Sequence, residues 1–288
     1  MQLTLGTVQF GLQYGIAGGK HLLADDDIRD ILDFAFRQGI QTLDTAPAYG
    51  DIEERLCSLC DGIAFRIVSK IPPLPGELDD TAAGQWAINS ALTSRTRLGH
   101  KLYALLFHRA EDLLGPRGDA VSKAVGRWAR TEGILIGASG YDAGVVRSLF
   151  EMRRISVAQL PGNALDQRID RILEKIEPKP DLYLRSAFLQ GLLLLPFEDA
   201  VKRVPAAKFA LQQWRQWLTH RGMSPIHGAL SIVRAFSDVA SCVVGVDSRS
   251  QLEEITDAWQ LVKPISAKEL SCNDPQSIDP RLWGGLKQ

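Results

Sequence analysis

Cysteine is scarce in this chain, 4 in 288 residues, and too scattered to form a disulfide framework. Cys57 and Cys60 make a CxxC, but they fall in the helical pattern IEERLCSLC, and Cys242 and Cys272 form no second close pair. Packing roles are therefore expected for them, as for most free cysteines. Long apolar runs are missing too. The nearest, Leu189–Pro196, is far short of the roughly 18 residues that cross a bilayer. The start, MQLTLGTVQF, has neither the basic residues nor the apolar stretch of a secretory signal, so a cytoplasmic location is expected. Charge of one sign is not in excess either: 33 basic against 34 acidic residues, net −1. Nucleic acid and acidic membranes are thus not expected partners. His220 and His227 sit in ordinary helix or surface contexts without metal-ligand spacing, and no metal is expected.

What is present is an alternation. Short apolar runs at Leu3–Thr7, Thr42–Asp44, Arg66–Lys70, Tyr103–Phe107, Leu135–Ala138, Val157–Leu160, Leu182–Ser186 and Cys242–Val246 read as strands. Helical patterns lie between them. DDDIRDILDFAFRQG carries apolar residues at Ile28, Ile31, Leu32, Ala35 and Phe36, the stripe of a surface helix, with acids at its start and Gly39 at its end. A strand–helix unit repeated eight times predicts a parallel sheet, and the length favours an α/β fold of the closed (β/α)8 TIM-barrel type as a single domain over 1–288. An open doubly wound sheet is the alternative, but the glycines of GTVQFGLQYGIAGG do not have the GxGxxG spacing that such a sheet uses for a dinucleotide. The seventh crossover, Pro196–Arg234, is enlarged by two helical patterns, and a Pro- and Gly-rich C-terminal extension, NDPQSIDPRLWGG, is expected to lie across the barrel. The six tryptophans are read mainly as core; Trp214 and Trp217 have the mouth as a second possibility, and Phe10, Tyr14 and His21 are pocket-lining candidates.

In such a barrel, chemistry sits at the C-terminal strand ends. The second strand ends in Asp44 with Tyr49 just beyond, the third ends at Lys70, and the fourth ends at His108. A lysine at a buried strand end costs several kcal/mol unless paired, and Asp44 is its natural partner. A structural ion pair with a capping histidine is the bland reading of these residues one by one. Their convergence with the turn DTAPAYG is what favours a catalytic group.

With these motifs the sequence resembles the aldo-keto reductase family. The likeness runs through LTLGTVQFG, DTAPAYGDIEE, the SK of the third strand and LLFH, and continues in GASGYD, QLPGNALDQR, RSAFLQGLL and GVDSRSQLEE. It implies interconversion of a carbonyl (aldehyde, ketone or sugar) and an alcohol by hydride transfer with NADP(H), NAD(H) being possible. A small-molecule substrate is implied, and the oligomeric state is left open. Tyr49 would be the proton donor. Lys70 would move the phenol, ordinarily near pKa 10, toward the working range. Asp44 would hold Lys70, and His108 would donate to the carbonyl oxygen. By position in the family pattern, Gly6, Thr7, Ser139, Gln159, Arg185, Ser186, Gly245, Arg249, Gln251 and Glu254 would hold the cofactor. The chain departs from that pattern in three places. Gly140 follows Ser139 where many relatives have Asn, Arg185 replaces an aromatic under the nicotinamide, and Asp247 stands where a basic or hydroxyl residue often meets the 2′-phosphate. Two rivals remain: a silent nicotinamide-binding regulatory subunit, and an aldolase using Lys70 as a Schiff-base nucleophile. Among substrates, an aldose or a nucleotide-sugar-derived carbonyl is preferred.

Overall fold

Each of the eight apolar runs becomes a strand, with bounds within a residue of those expected. In the computed structural model, which describes residues 1–16, 22–170, 172, 174, 176, 177 and 179–283, they are β1 (Gln2–Gly6), β2 (Thr42–Asp44), β3 (Arg66–Ile71), β4 (Leu102–Phe107), β5 (Leu135–Ser139), β6 (Val157–Pro161), β7 (Asp181–Arg185) and β8 (Ser241–Gly245). All neighbours pair in parallel, and β1 pairs with β8, so the sheet closes in sequence order. The (β/α)8 barrel is therefore the fold.

The helices are α1 (Val8–Gly11), α2 (Asp25–Arg37), α3 (Ile52–Leu59), α4 (Asp80–Leu98), α5 (Gly115–Glu132), α6 (Ala143–Glu151), α7 (Phe197–Arg203), α8 (Lys208–Arg221), α9 (Pro225–Arg234), α10 (Arg249–Leu261) and α11 (Pro275–Ile278). The repeat is not uniform. The β7–β8 crossover carries α7, α8 and α9, whereas among the described residues between β6 and β7 there is no α-helix. That segment is instead tied by side chains: Asn163 accepts from the Leu165 and Asp166 amides, and Gln167 donates to the carbonyls of Ala164 and Ala267. Among the described residues no helix is long and apolar enough to cross a membrane.

Side chains of a strand alternate in direction, and here the alternation places the site. Val68, Ala104, Leu106, Val157 and Tyr183 form a packed cluster distinct from the main core between barrel and helices, which makes them the barrel filling. Two residues further toward the C-terminal end, on the same inward face, stand Lys70, His108, Gln159 and Arg185. The last inward layer of the barrel is thus polar, and it opens at the mouth.

Trp214 and Trp217 belong to the outer core, not the mouth. They stack with centroids 5.7 Å apart, and their indoles donate to the Leu193 carbonyl and to Glu269. Phe10 is also fully buried in that core and does not line a pocket. His21 lies outside the described residues.

Candidate active site

The polar layer is organised around Lys70. Its ammonium donates to Asp44 Oδ1 at 2.8 Å, Asp44 Oδ2 at 2.9 Å and the Thr45 carbonyl at 2.9 Å, and it also bonds the Tyr49 phenol. Lys70 is 1% exposed and Asp44 4%. Lys70 is the penultimate residue of β3 rather than its last, since the strand runs on to Ile71. Burial pulls its pKa down, but Asp44 and the neighbouring Tyr49 raise it by more, and the group is held protonated.

Tyr49 comes to this pair on a tight loop. Its amide donates to the Ala46 carbonyl, Gly50 follows with φ +69°, and the Lys70 Nζ lies 5.2 Å from the centre of the phenol ring. The loop is pressed against α1: a Cβ on Gly11 would sit 1.9 Å from the Tyr49 carbonyl oxygen. The sequence reading needs correction on the phenol's acidity. Burial raises the Tyr49 pKa and Lys70 only partly offsets it, so the net shift is upward, away from the neutral range. The phenol rests in its protonated form.

His108, half-buried at the mouth, goes the other way. Burial, then the charges of Lys70 and Arg185, lowers its pKa to about 4, so the imidazole is neutral near pH 7. Tyr14, bonded to Gln190 at 3.2 Å, stands in the same electrostatic neighbourhood, its pKa pushed up to about 12 chiefly by burial. Of the two described pocket-lining candidates after β1, Phe10 and Tyr14, it is the one at the mouth.

The positions assigned to the cofactor divide into two groups. Gly6 and Gly245 face each other across the β1–β8 seam, and Gly6 also pairs with Asp44. Thr7, one residue past its strand, is fully buried and donates to the Asp44 carbonyl. Gln159 donates to Asp44 Oδ1 at 2.8 Å and receives Ser139 Oγ at 3.5 Å, so both are linked to the carboxylate behind Lys70. Arg185 donates to the Gly140 carbonyl at 3.1 Å, and its guanidinium lies 4.2 Å from the centre of Tyr141. Ser186, with φ +62°, begins a loop in which Leu189 and Gln190 are also left-handed. These form one rim. Arg249, Gln251 and Glu254 stand apart at the start of α10. Arg249 pairs with Asp30 at 3.1 Å, the Gln251 side chain accepts from the Asp247 amide, and Glu254 is exposed.

Other residues at this end were not assigned from sequence. Tyr141 carries a second guanidinium, that of Arg281, 3.6 Å from its ring centre, and Arg281 is fixed by Asp279. The C-terminal extension therefore does reach the mouth. Gln9 packs its amide against Gly245 so closely that a Cβ there would meet Oε1 at 2.4 Å, and that oxygen is buried without a partner. An orphaned acceptor against a bare glycine, beside a helix N-terminus, fits a bound group that carries donors and phosphate. The residues present thus fit a nicotinamide dinucleotide, which the Arg185 rim and the start of α10 would hold.

Other features fall elsewhere. A hollow of about 360 Å³ lined by Arg66, Arg95, Lys101 and Glu132 sits at the N-terminal end of the strands, opposite this chemistry. Cys60 is pushed up to about 11 by burial, and Cys57 is raised for the same reason, so neither is an activated thiol.

A sequence model of the Aldo/keto reductase family matches residues 2–272. The chain belongs to the aldo/keto reductase family. Members are oxidoreductases that bind nicotinamide cofactors and act on small-molecule carbonyl or alcohol substrates, and this aldo/keto reductase is placed among them. Its fold is shared with the glycerol dehydrogenase AKR11B4 of Gluconobacter oxydans, at 20% identity over 93% of this chain and 88% of that one, with a TM-score of 0.69. It is shared also with the aldo-keto reductase AKR11C1 of Bacillus halodurans in holo form, at 17% identity over 100% and 93%, with a TM-score of 0.71. A comparison with curated proteins finds no match.

Proposed function

We propose that this single-domain, cytoplasmic chain reduces a carbonyl compound, or oxidises the corresponding alcohol, with Tyr49 as the proton donor. The observation that carries the reading is the Lys70 ammonium, held by Asp44 and Thr45 and bonded to the Tyr49 phenol. The reduced nicotinamide, when bound, supplies a hydride to the carbonyl carbon. As that carbon is reduced, its oxygen becomes an alkoxide, a far stronger base than a phenolate, and it takes the Tyr49 proton. The raised pKa of Tyr49 keeps that proton in place until the alkoxide develops. Lys70 then faces the phenolate and stabilises it, while Asp44 fixes the ammonium's position. Neutral His108 donates a hydrogen bond to the same oxygen. In the oxidative direction the phenolate is the base.

NADP(H) is the preferred cofactor, through Arg249. Its pair with Asp30 is solvent-exposed on both sides and worth at most about 1 kcal/mol, so a 2′-phosphate can displace it. Asp247 works against that choice, and NAD(H) is the second reading. A hydroxylated, aldose-like substrate suits the polar rim of Tyr14, Gln190 and Tyr141. The Schiff-base alternative needs a neutral amine, whereas Asp44 and Tyr49 hold Lys70 charged.

Steady-state turnover of aldehydes and aldoses, followed by nicotinamide absorbance with both cofactors, tests the proposal. Tyr49→Phe is expected to lower kcat by about 10²–10⁴, the usual scale of general acid catalysis, with cofactor affinity unchanged. Turnover within tenfold of wild type would remove Tyr49 from its role, and borohydride trapping of a substrate on Lys70 would instead support the aldolase.

A further inference from the structure

The enlarged seventh crossover holds an arginine that no carboxylate among the described residues compensates. Arg215 on α8 is half-buried, and among the described residues it forms no ion pair. One of its terminal nitrogens donates to the Leu195 carbonyl, while its Nε is buried with no acceptor. Burial alone lowers its pKa, with no acidic neighbour pulling it back. Capping one carbonyl needs a single donor, whereas a guanidinium presents five in a planar fork suited to a carboxylate. The Leu195 contact therefore does not account for this residue.

Its surroundings do. Arg215 lines a hollow of about 380 Å³ with Phe197, Lys208, Gln212, Gln216 and His220. Lys208, Gln212 and Gln216 recur every four residues, a single stripe of α8, and Phe197 from α7 forms an apolar wall. No acidic residue lines it: of the acids at the start of α7, Asp199 pairs with Lys202. The volume is at the lower end of small-molecule sites, roughly 300–1,000 Å³. None of these residues belongs to the Tyr49 mouth.

We propose that this hollow binds a monocarboxylate with an aromatic or short aliphatic body. Arg215 receives the carboxylate, Lys208 adds charge at the rim, and the Gln212 and Gln216 amides bond the remaining lone pairs. Phe197 packs on the apolar body, which distinguishes the ligand from a bare inorganic anion.

Calorimetric titration of the full chain at constant ionic strength, with phenylacetate, 2-phenylethanol and inorganic phosphate as probes, tests this. Phenylacetate is expected to bind saturably at one equivalent, about tenfold tighter than the neutral alcohol, the scale of a charge-assisted hydrogen bond. Arg215→Gln should weaken it about tenfold and Lys208→Glu severalfold, both with carbonyl turnover unchanged. The proposal is overturned if the alcohol or phosphate binds as tightly as phenylacetate, or if both variants keep wild-type affinity, which would put the ligand elsewhere. Should Arg215→Gln fail to fold by circular dichroism, Lys208→Glu on the exposed rim decides: unchanged affinity there overturns the site.

Discussion

His108 and Arg185 show how single residues carry the chemistry through their neighbours. Free imidazole titrates near 6.5, and in the fold burial together with two cations brings His108 to about 4. Between those values the unfolded chain binds more protons than the folded one. The stability that His108 contributes as a neutral ring is therefore complete above pH 6.5 and is lost as pH falls toward 4. Urea unfolding at pH 7 and pH 4.5 should show a loss that His108→Asn reduces by on the order of 2 kcal/mol. An unchanged pH dependence in the variant would place the titration elsewhere. Arg185 makes a different prediction. A guanidinium under the nicotinamide should disfavour the positively charged oxidised ring relative to the neutral reduced one. Arg185→Ala is then expected to tighten oxidised cofactor relative to reduced, measured by fluorescence titration; equal effects on the two forms would exclude the stacked position.

At the scale of elements, the β2–α3 loop is pressed against the end of α1. Gly11 meets the Tyr49 carbonyl, and reciprocally a Cβ on Gly50 would stand 2.6 Å from the Gly11 oxygen. Behind the loop, Glu53 of α3 is buried and accepts from Ser69, Ser94 and Arg97, tying the helix to β3 and α4. Gly11→Ala should move Tyr49 without touching substrate. The expected result is kcat reduced by tenfold or more, since misplacements of about 1 Å cost up to 10²-fold, with the far-ultraviolet spectrum kept. Wild-type kcat would show that the loop yields at no cost. The DTAPAYG turn made Tyr49 legible in the sequence, but Gly11 was not, because the contact that demands it comes from another loop. The same limit applied to Gln159 and Tyr141. Period-two counting along β6 puts Gln159 at the mouth, yet its partner Asp44 lies 115 residues away, and Arg281 reaches Tyr141 from the far end of the chain. Strand ends could be read from local pattern; pairings across the mouth could not. Phe10 shows the converse error, an aromatic near the site that the short α1 turns into the core.

At the scale of the whole molecule, the polar layer exists only in a closed barrel. Asp44 comes from β2, Lys70 from β3 and Gln159 from β6, nearly opposite. Removing Asp44 or Lys70 leaves the other charge buried and uncompensated, at about 3–5 kcal/mol. Closure also governs what solvent-borne chemistry can reach. An amine is acylated through its neutral form and an open approach, and Lys70 in the native state offers neither, while Lys202 and Lys268 stand well exposed at 77% and 57%. Tracking each lysine by mass spectrometry after a short pulse of anhydride should therefore find Lys70 unmarked until denaturant opens the barrel as a unit. Its acquired mass becomes a clock for rare global excursions, whereas early marking would mean that the strands part locally.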